Sequence, residues 1–185
     1  ADPATDVVYC MDTRSGELLW EKGSIYFSNY ISPLLVNDYL YITNNNTLQV
    51  YNPENGDFIK EWPIIPYPHS LNYVNGLLIY NNCGGHLVAM NTDGFTVWEY
   101  RAPSGCYHNN PVIADNIIYI LSTNGYLSAI NITTGAEMWN KYIGDYTFNA
   151  SLVYNEGMLF AVDCKQADKI YAFSAANGDW VHTYL

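Results

Sequence analysis

The sequence predicts an all-β protein built of stacked four-stranded sheets. Three observations carry this: a turn glycine that recurs at near-constant spacing, pairs of short apolar runs upstream of each such turn, and the lack of any stretch with the length and period of a helix. The glycines are Gly16, Gly56, Gly94, Gly135 and Gly178, separated by 40, 38, 41 and 43 residues.

In chain order, residues 1–5 read as a tail or vector-derived scar, and residues 6–185 as one domain of five repeats, about 6–26, 27–68, 69–105, 106–146 and 147–185. The first repeat offers only the run "DVVYCMD" from Asp6, the turn at Gly16 and a strand closed by Trp20. The other four carry four strands each, here A to D. Strand A is read in "SPLLV", "SLNYV", "NPVIA" and "ASLVY". Strand B follows a polar or glycine turn in "NDYLYIT", "NGLLIYN", "DNIIYIL" and "EGMLFAV". Strand C leads into the glycine in "TLQVYN", "HLVAMN", "YLSAIN" and "KIYAFS". Such runs, rich in Tyr, Ile, Val and Leu and bounded by turn residues, are strand signals. Strand D ends on a tryptophan four residues after the glycine at Trp20, Trp98 and Trp139; the second and fifth copies carry Lys60 and His182 there and place Trp62 and Trp180 elsewhere.

A four-stranded unit of this length cannot bury both faces alone, so copies must stack on one another. Radial stacking gives a β-propeller, usually of four to eight blades; a linear solenoid normally has shorter coils. The pattern Ala-x-Asn/Asp-x-x-Thr-Gly-x-x-x-Trp, met in full by Ala129, Asn131, Thr134, Gly135 and Trp139, resembles the PQQ-like (quinoprotein-type) propeller repeat from Val7 to Leu185. The resemblance implies four full blades and a half, as an open arc or part of a larger propeller. It also implies that Trp20, Trp98 and Trp139 dock between adjacent blades and that the Thr-Gly turn ends strand C.

Composition narrows the function. With 18 Asp+Glu against 7 Lys+Arg the formal charge is −11, and no basic cluster exists to neutralise phosphates, which argues against nucleic acid and anionic membranes as partners. The apolar runs are far shorter than the ~20 residues of a spanning helix. No basic-then-apolar leader opens the sequence, so any secretory signal is expected to have been removed. Four cysteines (Cys10, Cys83, Cys106, Cys164) and three sequons (Asn45, Asn131, Asn149) favour an oxidising, glycosylating compartment, secreted or ER-luminal.

Catalytic motifs are absent: there is no Gly-x-Ser-x-Gly, phosphate loop or His-Glu-x-x-His. Cofactor-bearing members of the resembled family use about eight blades, a vicinal cysteine pair and a catalytic Asp with calcium, and no two cysteines here are adjacent. Asp12, Glu17, Glu54, Asp57, Glu137 and Asp179 fall in or beside the C–D turns and read as turn caps and an acidic rim. The expectation is therefore no enzyme, no cofactor and no bound metal.

The most distinctive cluster is "CGGH" (Cys83 to His86) with "CYH" (Cys106 to His108). In a propeller, strands B and D run parallel, so the B–C loop with Cys83 and the D–A loop with Cys106 emerge on the same side. A Cys83–Cys106 disulfide is the expected outcome. Unpaired thiols and a tetrahedral zinc site are the alternatives, the Cys-x-His spacing being tight for two ligands of one ion. Polar residues on the inner strands (Ser28, Asn29, His69, Ser70, His108, Asn109, Asn149) could line a channel, and the 18 tyrosines mostly pack blades.

The functional expectation is a non-catalytic protein-interaction scaffold; a carbohydrate- or small-ligand-binding lectin and a fragment of a quinoprotein dehydrogenase are the rivals. The C strand around Val7 to Met11 would be an open edge, which natural sheets avoid. A missing part of a longer chain, a protein partner or a second copy is expected to cover it by strand addition.

Overall fold

A computed structural model of the chain describes residues 6–25, 31–44, 46–144, 152–163 and 169–184. All regular elements among them are strands. A two-stranded sheet, β1 (Asp6–Met11) and β2 (Leu18–Ile25), opens the chain. Four antiparallel sheets follow, each with its strands in chain order. The second blade holds β3 (Leu34–Val36), β4 (Tyr39–Asn44), β5 (Thr47–Tyr51) and β6 (Phe58–Pro63). The third holds β7 (Pro68–Val74), β8 (Leu77–Asn82), β9 (His86–Asn91) and β10 (Thr96–Arg101). The fourth holds β11 (Val112–Ala114), β12 (Ile117–Leu121), β13 (Tyr126–Asn131) and β14 (Glu137–Tyr142); the fifth holds β15 (Val153–Asn155), β16 (Met158–Asp163), β17 (Lys169–Ser174) and β18 (Trp180–Tyr184). The first strands of neighbouring blades approach one another, β3 to β7 and β11 to β15. No strand pairing joins the first described sheet to the last.

The core lies between blades. Side chains alternate across a strand, and on β8 and β9 this alternation feeds two seams at once. Leu78, Tyr80, Val88 and Met90 pack with Val36, Tyr41, Leu48 and Val50 of the blade before. Ile79, Leu87 and Ala89 pack with Ile118, Ile120 and Ile130 of the blade after. Burial on both faces explains why the B and C runs read as nearly continuous apolar segments. Each fully buried Leu or Ile contributes roughly 1.5–3 kcal/mol of hydrophobic stabilisation. Strand D faces outward: five of six residues of β6 are exposed.

The repeat motif is explained at the C–D turns. Asn131 Oδ1 accepts the amides of Thr133 and Thr134 at 3.0 Å, Gly135 N–H donates to Asn131 O at 2.9 Å, and Ala136 N–H donates to Thr134 Oγ1 at 3.3 Å. Asp12 does the same work in the first repeat, taking the amides of Ser15 (2.7 Å) and Arg14 (2.9 Å); those two amides hold its carboxyl below the usual carboxylate range. The carboxylate of Asp12 and the carboxamide of Asn131 are thus turn caps.

Candidate functional site

One polar and sulfur cluster is assembled at the third blade from three separate elements. His69 comes from β7, Cys83 from the β8–β9 turn, and Cys106 and His108 from the loop between β10 and β11. Asn82 shapes the turn: its Oδ1 accepts the amides of Gly84 (2.9 Å) and His86 (3.0 Å), and its Nδ2 donates to Pro66 O (3.1 Å). Gly85 lets the loop approach. With φ +76° it adopts a conformation that L side chains rarely take, and a Cβ there would stand 2.6 Å from Gly105 O. The loop is pinned by Ala102 N–H to Gly85 O (2.8 Å), Tyr107 N–H to Asn82 O (3.2 Å) and Cys106 N–H to Thr123 Oγ1 (3.1 Å).

Within this frame His69 Nε2 lies 2.8 Å from Cys83 Sγ, and the rings of His69 and His108 meet edge to face with centroids 4.7 Å apart. Ligand atoms of His69, Cys83 and His108 all lie within 4.8 Å of one another. The thiol of Cys106 neighbours that of Cys83. Burial, then the neighbouring Cys106, pushes the Cys83 thiol up; burial, then His108, pushes His69 down and favours neutral imidazole.

The structure thus brings Cys83 and Cys106 together, but the disulfide expected from the sequence is not formed: both are free thiols, as is Cys10. Cys83 Sγ lies instead against a histidine ring nitrogen. That histidine is not the one beside it in sequence. His86 turns to the sheet surface, with Nδ1 2.5 Å from Glu99 Oε1. His69, 14 residues before Cys83, takes its place; its only sequence signal is that of a polar residue on a strand bordering the channel. Cys164, Asn45, Asn149, Ser28 and Asn29 lie outside the described residues. Ser70 and Asn109 are buried, and Asn81 Nδ2 donates to Asn109 O at 2.6 Å.

The tryptophans mark the seams. Trp20 Nε1 donates to Pro53 O (2.9 Å), Trp98 Nε1 to Ile132 O (2.9 Å) and Trp139 Nε1 to Ala175 O (3.1 Å), each in the C–D turn of the next blade. Their rings cover Gly56, Gly135 and Gly178, where an added Cβ would come within 2.8, 2.6 and 2.6 Å. Trp62, out of place by the sequence motif, covers Gly94 in the same way.

Four-stranded blades, with an indole laid on a Gly turn across each of the four described seams, define a PQQ-like repeat protein of the β-propeller type. Residues 83–185 match the family model described as outer membrane protein assembly factor BamB, and the chain belongs to that family. A protein of that description from Moranella endobia (strain PCIT) is 27% identical over 201 residues, taking in 96% of this chain and 50% of the relative. Tetrathionate hydrolase of Acidithiobacillus ferrooxidans is 22% identical over 172 residues, 92% of this chain and 32% of that protein. The crystal structure of BamB from Moraxella catarrhalis superposes with a TM-score of 0.80 at 16% identity, over 97% of this chain and 58% of that one. The chain spans about half the length of the BamB relatives it matches. These relatives are bacterial, and they lend no support to the ER-luminal alternative.

Proposed function

We propose that the chain is a non-catalytic interaction scaffold on the extracytoplasmic side of a cell envelope, which holds a protein partner by strand addition along β1. One observation carries this reading: β1 is paired only with β2 among the described residues, and its outward side chains Tyr9 and Met11 are 59% and 55% exposed. An edge of this kind, flanked by exposed large apolar groups, is a template for another strand, from a partner or from a further part of a longer chain. The relatives described as outer membrane assembly factors support an envelope role, and the acidic charge disfavours phosphate-bearing partners. Photo-crosslinking from Tyr9 in extracts of the native source tests it, with Phe95 of the third blade, 70% exposed, as the control position. Polypeptide adducts confined to Tyr9 are expected; equal adducts at both positions, or none, would overturn the reading.

A second reading rests on a cleft of about 350 Å³ between the fourth and fifth blades, lined in part by Tyr142, Tyr171 and Trp180. Aromatic faces in a cleft suit a sugar ring. Selective glycan-array binding abolished by Trp180→Ala would favour this lectin-like function.

A further inference from the structure

We propose that His69, Cys83 and His108, completed by Cys106, form a tetrahedral zinc site that ties the inner strand, the B–C turn and the outgoing loop of the third blade together. The site is independent of the partner reading above.

The donor set points to the metal. Two thiols and two imidazoles are soft and borderline ligands, and no carboxylate belongs to the three-residue group, so the chemistry selects zinc over magnesium or calcium. The geometry agrees. Tetrahedral zinc, with Zn–S about 2.3 Å and Zn–N about 2.0–2.1 Å, separates its ligand atoms by roughly 3.3–3.8 Å. The ligand atoms of His69, Cys83 and His108 already gather within 4.8 Å of one another. Binding opens the 2.8 Å separation of His69 Nε2 and Cys83 Sγ by roughly 0.7 Å. Cys106, a neighbour of Cys83, lies outside that mutual group and is the residue proposed for the fourth position.

The scaffold holds the donors in place. They arrive from three segments anchored by backbone bonds rather than from one loop, so the tight Cys-x-His spacing of residues 106–108 matters less than it would in a local motif. Gly85 permits the approach that places Cys106 beside Cys83, and the rival imidazole of His86 is held by Glu99. Charge balances: two thiols release their protons to solvent, and two thiolates neutralise one Zn²⁺.

The test uses the 185-residue chain, reduced, with Cys10→Ser and Cys164→Ser so that one thiol pair remains. Cobalt(II) titration should reach about one equivalent, with a sulfur-to-cobalt charge-transfer band and the intense visible bands of tetrahedral cobalt, both bleached by zinc. Cys83→Ser should abolish the charge transfer or leave the weak trace of a single thiolate. His69→Gln should weaken zinc binding at least about tenfold, while His86→Gln should leave it unchanged. Should Cys83→Ser not fold, zinc protection of Cys83 and Cys106 against alkylation, read by peptide mapping of the otherwise native chain, decides the same question. No charge-transfer band, a band of full intensity in Cys83→Ser, or alkylation indifferent to zinc would overturn the proposal.

Discussion

The indole of Trp98 lies on Gly135 of the next blade: Nε1 donates to Ile132 O at 2.9 Å, and a Cβ on Gly135 would stand 2.6 Å from the ring. The seam therefore depends on a residue with no side chain, in a turn where φ is +70°. Gly135→Ala combines the backbone penalty of that conformation, about 1–2 kcal/mol, with overpacking of about 1–3 kcal/mol. Gly76→Ala isolates the first cost, since Gly76 has φ +81° and open space around it. Urea denaturation should show Gly135→Ala as clearly the more destabilised; equal losses would mean that the indole contact carries no energy.

Trp62 supplies the second prediction. It covers Gly94, stacks with Tyr41 at 6.5 Å and carries Lys60 Nζ over its ring at 4.6 Å. Trp62→Ala should cost about 3–5 kcal/mol, close to Trp98→Ala. Trp180→Ala, at a side chain 62% exposed, should cost well below that. Thermal unfolding of the three variants ranks them.

These two residues also show how far the sequence could be read. The repeat length, the strand runs and the capped turn are legible because each is local. The lock of the second blade is not, because the motif places its tryptophan four residues after the glycine, where Lys60 stands. The structure obeys a face rather than a position: residues 60 and 62 point to the same side of β6 because side chains alternate with period two, so an indole one pleat farther on still reaches its glycine. The His69–Cys83–His108 group is hidden for another reason. Three-dimensional proximity there comes from the packing of a strand, a turn and a loop, whereas sequence neighbourhood points to His86, which the pleat sends to Glu99.

The seam between the third and fourth blades contains a hydrogen-bonded network around Tyr100. Tyr100 Oη donates to Glu137 Oε2 at 2.6 Å, and Asn140 Nδ2 donates to Ser128 Oγ at 2.7 Å. Burial, then the Glu137 hydrogen bond, raises Tyr100 from 10.0 to about 12. With the folded value above the unfolded one, the unfolded chain loses the proton first as pH rises. Its contribution is thus complete below pH 10 and is lost as pH climbs toward 12. Tyr100→Phe should make the alkaline fall in melting temperature shallower, while costing about 0.5–1.5 kcal/mol at neutral pH. An unchanged alkaline slope would remove Tyr100 from the account.

The edge strand β1 separates stability from binding. Val8 is buried against Ile42 and Tyr51 of the second blade, whereas Tyr9 and Met11 point outward and are exposed. Charges on an exposed edge discourage pairing with another strand. Tyr9→Lys with Met11→Lys should therefore leave unfolding free energy within about 0.5 kcal/mol of the native chain. Val8→Asp buries a carboxyl at the first seam and should cost several kcal/mol, in the range of about 2–7 kcal/mol for an uncompensated polar group. In crosslinking from the neighbouring Cys10, the double lysine variant should lose its polypeptide adducts while melting as the native chain does. Adducts that persist undiminished in a fully folded lysine variant would show that the partner does not use the β1 edge.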